Sequence, residues 1–193
     1  MKKFSLIAMI GLAALSFQAC NNASKDSKET ADSLNMAKDT STTGMNGIAV
    51  TSDDAEFATK LANGGMTEVA LGKIAQEKGT SQKVKDFGSM MVTDHSKAND
   101  ELMAIAKAKN ITLPATPDDE HQKMINDLSA KTGTDFDKAY VDAMVDGHEK
   151  TVSLLEDGAQ NCKDADLKAF AAKILPTVKG HLEKIKEIQS SMK

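Results

Sequence analysis

The chain has 193 residues, a formal net charge of −4, four histidines and no tryptophan, and all 24 of its basic residues are lysines. Arginine is the residue best suited to bidentate phosphate and base recognition, and aromatics make up only 4% of the chain, so a nucleic-acid binder is excluded. Two cysteines cannot build a disulfide framework, so a core must hold the fold.

Lys2 and Lys3 precede a 14-residue apolar run, FSLIAMIGLAALSF. A membrane-spanning helix needs about 20 residues, whereas this length suits the hydrophobic region of a secretory signal. Ala19 and Cys20 follow, a pattern that resembles a bacterial lipoprotein signal with Cys20 as the lipidated residue. Residues 1–19 are therefore expected to be a lipoprotein signal peptide, and the lipid to be the chain's contact with a membrane. Asn21 after the cysteine favours the periplasmic face of the outer membrane. Without residues 1–19 the chain keeps 22 lysines against 28 acidic residues, a net charge of −6. Cys162 then remains as a lone thiol, read as a buried small hydrophobe in preference to an intermolecular disulfide.

Residues 20–52 are rich in Ser, Thr, Asn, Asp and Lys without apolar period, the composition of a flexible tether. The folded part is expected over 53–192. Asp53 and Glu56 resemble a capping box opening a first long helix that ends before Gly79. Its stripe is Phe57, Leu61, Gly64, Glu68, Leu71 and Ala75. Thr80 or Ser81 caps a second helix with the stripe Val84, Gly88, Met91, His95, Ala98, Leu102 and Ile105. Asn110, Pro114 and Pro117 stop it. A short helix over 118–131 belongs to a crossover, with His121 on a solvated face. A third long helix over 135–161 carries Val141, Met144, His148, Val152, Leu155 and Ala159. The last, over 164–192, carries Leu167, Phe170, Ile174, Val178, His181, Ile185 and Ile188, with Pro176 expected to kink it. No useful stretch has strand period, so the class is all-α: a four-helix bundle with a long crossover that contains a short extra helix.

Glu68, His95, His148 and His181 stand out because each occupies an apolar stripe on a different long helix. Counted from the two tight turns, Glu68 and His95 lie 12 and 15 residues away, and His148 and His181 lie 15 and 18 away. At about 1.5 Å rise per residue the members of each pair differ in height by about 4–5 Å. All four fall at mid-height of one bundle. A core stripe covers about 3/7 of helix positions, so three histidines on stripes by chance is roughly a one-in-twelve event.

A lone buried Glu or His would neutralise unless paired. Three imidazoles and a carboxylate form a ligand set for one transition metal: zinc, iron, manganese or copper. A metal-free polar network that fixes helix register is the alternative, and a metal-dependent redox enzyme is a third reading. Met91 and Met144 lie one turn from His95 and His148, where sulfur ligands would favour copper but core filling is the commoner role. Asp94, Asp146 and Glu149 point about 100° away and are expected beside the site or on the surface. Gly64, Gly65, Gly72, Gly147 and Gly180 near the polar residues suggest close helix approach or room for a ligand.

The stretches TEVALGKIA around Glu68, MMVTDH ending in His95, FDKAYVDAMVDGH ending in His148 and LPTVKGH ending in His181 resemble a bacterial exported family of unknown function. That family belongs to the ferritin-like superfamily, and its members are often labelled outer membrane proteins. The resemblance covers about 53–190 and implies a ferritin-like bundle with a candidate metal site at these four positions. Di-iron members of the superfamily place Glu three residues before His on each of two helices. Here Val92, Val145 and Val178 stand at that offset, which turns the expectation from a di-iron centre to one metal or none.

Overall fold

The computed structural model describes residues 26–39 and 50–192. Residues 1–19 and Cys20, read as signal and lipidation site, lie outside the described residues. The described residues form six α-helices and no strand: α1 (Ser27–Asp39), α2 (Ser52–Lys78), α3 (Gln82–Ala108), α4 (Asp119–Ser129), α5 (Gly133–Asn161) and α6 (Ala165–Ser191). The four long helices fall within two residues of their expected bounds. Among the described residues no helix is long and apolar enough to cross a membrane.

Two buried carboxylates tie the ends of the bundle. Asp54, 3% exposed, accepts hydrogen bonds from the backbone N–H groups of Lys163 (3.1 Å) and Asp164 (2.7 Å), so the start of α2 meets the turn between α5 and α6. Asp137, also 3% exposed, accepts from the N–H groups of Thr80 (2.9 Å) and Ser81 (2.8 Å), so the start of α5 meets the turn between α2 and α3. These orphan donors near helix starts would otherwise be unsatisfied. The two ties make α5 antiparallel to α2 and force the crossover to run the length of the bundle. The helices α2 and α3 pack as one hairpin and α5 and α6 as another, with α2 beside α5 and α3 beside α6.

Local chemistry sets the ends. Thr51 caps α2 by accepting from the N–H of Asp54 (3.2 Å), in place of the expected Asp53–Glu56 box. Asn110, at φ 57°, closes α3, with Ile111 N–H donating to the Ala106 carbonyl (2.8 Å) and Asn110 N–H to that of Lys107 (3.3 Å). This is the Schellman arrangement, with Asn in the left-handed position. The α6 helix continues through Pro176 to Ser191.

Residues 27–39 correct the tether expectation. Their composition is polar, but α1 docks on α2 and on the segment after α3. Asn35 donates to the Thr112 carbonyl (2.9 Å) and accepts from the Thr112 N–H (2.7 Å). Thr59 on α2 donates to Asp32 (2.6 Å), and Ala31 is 2% exposed. Paired side-chain bonds replace the apolar stripe that a composition reading looks for. His121 is partly exposed and is also engaged by its neighbours. Its ring lies 2.6 Å from Asp118 Oδ1 and 2.9 Å from Asn63 Nδ2, pinning α4 to α2.

The core has two apolar halves. One contains Phe57, Leu61, Leu102, Leu155, Leu167 and Phe170. The other contains Leu71, Val84, Phe87, Met91, Phe136, Tyr140, Met144 and Ile185. Along every long helix, the polar residue of interest stands between them. Cys162 is buried and free at the end of α5, its thiol pushed up to about 12 by burial and by the nearby Asp54 carboxylate. It is far in sequence from the polar layer and takes no part in it.

Candidate metal centre

The structure brings Glu68, His95, His148 and His181 together in the interior. They are 5%, 6%, 0% and 4% exposed, respectively. The ring centroids of the three histidines form a near-equilateral triangle with sides of 5.7, 5.4 and 5.7 Å. Phe87 closes one side, its ring 5.9 Å from His148 and 6.5 Å from His181.

Each imidazole has one nitrogen held by a group that can only accept. Glu68 Oε2 lies 2.8 Å from His95 Nδ1. The Met144 carbonyl lies 2.8 Å from His148 Nδ1. Asp94 Oδ2 lies 2.9 Å from His181 Nε2. Carboxylates and carbonyls have no proton to give, so each of these nitrogens carries the N–H. The opposite nitrogens, His95 Nε2, His148 Nε2 and His181 Nδ1, are buried without hydrogen-bond partners. In the neutral rings those atoms carry the lone pairs. The three histidines can each offer a ligand atom within 4.8 Å of the others.

Three nitrogens about 2.0–2.1 Å from one ion would stand roughly 3.5 Å apart. The rings therefore need to close inward by roughly an ångström, within the reach of small χ adjustments. Orphaned buried acceptors on three neighbouring rings, each ring held by a hydrogen bond at its other nitrogen, fit an ion. Glu68 Oε1 is also buried without a hydrogen-bond partner and lies 3.4 Å from His148 Nδ1. Glu68 thus orients His95 through one oxygen and has the other uncommitted.

The electrostatics follow from this packing. Burial raises Glu68, but the charge and hydrogen bond of His95, with His148 and His181 adding, outweigh it and hold the carboxyl at about 2. Burial works against a charged His95, yet the charge and hydrogen bond of Glu68, with Asp94 behind, lift it above the ordinary histidine value. Burial lowers His148, helped by the charge of His95 and opposed by that of Glu68. Burial also lowers His181, against the hydrogen bond it donates to Asp94. One imidazole therefore takes a proton readily and two resist it.

Of the three acids expected beside the site or on the surface, Asp94 takes the place beside the site, as the partner of His181. It sits about 100° off the α3 stripe, but that flank faces α6, where His181 waits. An acid next to a stripe, on the side of the neighbouring helix, was the available signal. Asp146 and Glu149 are exposed, as expected for residues off the stripe. The glycines divide. Gly72 and Gly88 let α2 and α3 approach, since an added Cβ would meet the opposite carbonyl at 2.8 and 2.7 Å. A Cβ on Gly64, Gly147 or Gly180 would meet nothing within 4 Å, so these do not serve close helix approach, and Gly64 and Gly147 line a cavity that reaches Glu68. Val145 and Val178 are buried, so no carboxylate stands three residues before His148 or His181.

Two cavities reach this layer. One of about 170 Å³ lies between α3 and α6 and is bordered by Glu68, His95 and His181. The other, about 400 Å³, lies among α2, α4 and α5 and reaches Glu68 from the far side.

A family model described as "Domain of unknown function (DUF4142)" matches residues 39–188, so the chain belongs to that family. No curated protein matches the sequence. The fold is similar to the structure of a DUF305 fragment from Deinococcus radiodurans, with a TM-score of 0.64, 13% identity, and coverage of 74% of this chain and 98% of that one. It is also similar to CopM in the Cu(II)-bound form, with a TM-score of 0.62, 14% identity, and coverage of 72% and 97%. At these identities the likeness is one of fold.

Proposed function

We propose that this DUF4142 protein binds one transition-metal ion in its bundle core. His95 Nε2, His148 Nε2 and His181 Nδ1 would hold the ion, with Glu68 and Asp94 orienting two of the rings. The observation that carries the reading is the set of three buried, unpartnered ring nitrogens, each opposite a nitrogen fixed by an acceptor. An all-imidazole set suits copper and zinc ahead of manganese, which prefers oxygen ligands, and for one site copper(II) binds more tightly than zinc. The Cu(II)-bound state of CopM, a protein of similar fold, supports testing copper first. The bound ion would supply Lewis-acid or redox character; the chain's own residues bind it and orient the rings.

The lipoprotein-like residues 1–20 support placing the domain in the bacterial cell envelope. Cys20 would anchor it to the periplasmic face of the outer membrane, where metal storage, sensing or stress defence are the fitting roles. The ferritin-like ancestry implied by the sequence motifs is consistent with the bundle and its crossover. Mass spectrometry of the mature N-terminus, and release of Cys20→Ser protein from membranes, test the anchor.

Elemental analysis after purification and after copper or zinc reconstitution tests the metal reading. About one ion per chain is expected in the wild type and almost none in His148→Ala/His181→Ala. Equal, negligible metal in both would remove the reading. It would leave the second one, a metal-free polar cluster fixing the fold, which the 2.8 Å Glu68–His95 contact favours. A metal-dependent redox enzyme is a further alternative that needs the site to be accessible.

A further inference from the structure

Resting on that reading, we propose that the centre keeps an open coordination position, which a small inorganic anion reaches through the cleft between α3 and α6. Three imidazoles fill three positions of an ion that takes four or more ligands. The 170 Å³ cavity has Glu68, His95 and His181 at its inner end, so it leads to the centre from the surface. It follows the seam between the two hairpins, where α3 and α6 pack more loosely than the helices within either hairpin.

Size and charge define the ligand. Pockets for drug-sized organic molecules begin at about 300 Å³, so this cavity suits a molecule of a few atoms. Asp94 is committed to His181, and Glu101 is bound by Lys173, whose Nζ lies 2.8 Å from both carboxylate oxygens. Lys97, which also lines the cleft, has no carboxylate partner among the described residues. Asp94 keeps its charge beside a neutral His181, so the cleft wall sets Lys97 and Lys173 against Asp94 and Glu101 and is neutral overall. Inside, a dication with three neutral imidazoles and the Glu68 carboxylate carries a net positive charge. Added to that neutral wall, it leaves the loaded cleft with one net positive charge, which favours an anion.

The Glu101–Lys173 pair spans the mouth from α3 to α6. Its side chains are 34% and 64% exposed, so it is a solvent-screened bridge of small net strength. It can swing aside at little cost and admits solutes without unfolding either hairpin.

Azide titration of the copper(II)-loaded full chain tests the proposal by the azide-to-copper charge-transfer band. The wild type is expected to show a saturable band. Thr177→Trp and Ala98→Phe fill the cleft from α6 and from α3. At equal copper content and unchanged helicity, each should weaken azide binding by about tenfold or more. Lys97→Glu should weaken it several-fold and reduce its dependence on salt. Ala143→Phe, in the opposite cavity, should leave it unchanged. No band in copper-loaded wild type would overturn the open position. Wild-type azide affinity in both cleft variants, or a loss confined to Ala143→Phe, would overturn the route. Absence of copper from the wild type fails the metal reading itself, and elemental analysis separates that result from a closed site.

Discussion

Asp94 Oδ2 lies 2.9 Å from His181 Nε2, although Asp94 directly precedes His95 in sequence. One turn of α3 therefore supplies a ring to the centre and the orienting carboxylate for a ring on α6. Removing an outer partner of a ligating histidine usually costs 10–100-fold in metal affinity. Asp94→Ala is expected to fall in about that range for copper or zinc, measured by chelator competition, with the α-helical fold intact. Asp94→Asn, whose amide oxygen still accepts, should lose less.

The histidines should differ in what their loss does to the metal-free protein. His95→Leu strands the Glu68 carboxylate in the interior and is expected to cost about 3–5 kcal/mol in denaturant unfolding. The double variant Glu68→Leu/His95→Leu should recover most of it. His148→Leu removes an orphaned Nε2 and leaves the Met144 carbonyl its helical bond, so apo stability should change by less than about 1 kcal/mol. Both single variants should lose the metal. Equal destabilisation by the two would contradict the hydrogen-bond assignment.

Acid and base should both destabilise the metal-free protein, through different histidines. His148 and His181 are depressed, so below about pH 6.5 the unfolded chain takes protons that the folded one refuses. Stability then falls on acidification, by at most about 1.4 kcal/mol per pH unit for each proton. His95 is raised, so its contribution is complete below the unfolded value and is lost as pH rises through its folded value. Glu68 contributes above its unfolded value of 4.5 and loses that only as pH falls towards about 2. The expected outcome is a stability maximum near neutrality. Chemical unfolding of chelator-treated protein between pH 5 and 8 checks it, and His148→Leu/His181→Leu should flatten the acid limb.

The glycines give a clean contrast. Gly180 is exposed in mid-helix, and a Cβ there meets nothing within 4 Å. Gly180→Ala should stabilise by about 0.5–1 kcal/mol with metal affinity unchanged, even though it adjoins His181. At Gly88 a Cβ would sit 2.7 Å from the Gly72 carbonyl and 2.9 Å from Ala75 Cβ. Gly88→Ala should therefore destabilise by about 1–3 kcal/mol, read from thermal or denaturant unfolding.

The first helix docks through side-chain hydrogen bonds at the bundle's surface, so its docking can be lost separately. Asn35→Ala removes both bonds to Thr112. Amide hydrogen exchange over 27–39 should then rise strongly, while that of α2, α3, α5 and α6 stays the same.

Read alone, the residues yielded the four long helices, because apolar residues every three or four positions must share a face and Gly, Asn and Pro interrupt that face at predictable places. They also yielded the layer of Glu68, His95, His148 and His181, since helical rise converts counts from two turns into heights. Composition misjudged 27–39, because it measures apolar burial and α1 docks through Asn35, Thr59 and Asp32 instead. Only the tertiary structure decided which nitrogen of each ring is committed, that Asp94 serves His181, and that the α3–α6 seam opens onto the centre. Those outcomes depend on how helices cross and which rotamers meet between them, at distances of about 3 Å, where a position on a stripe fixes the side a residue faces but not the atom it finds.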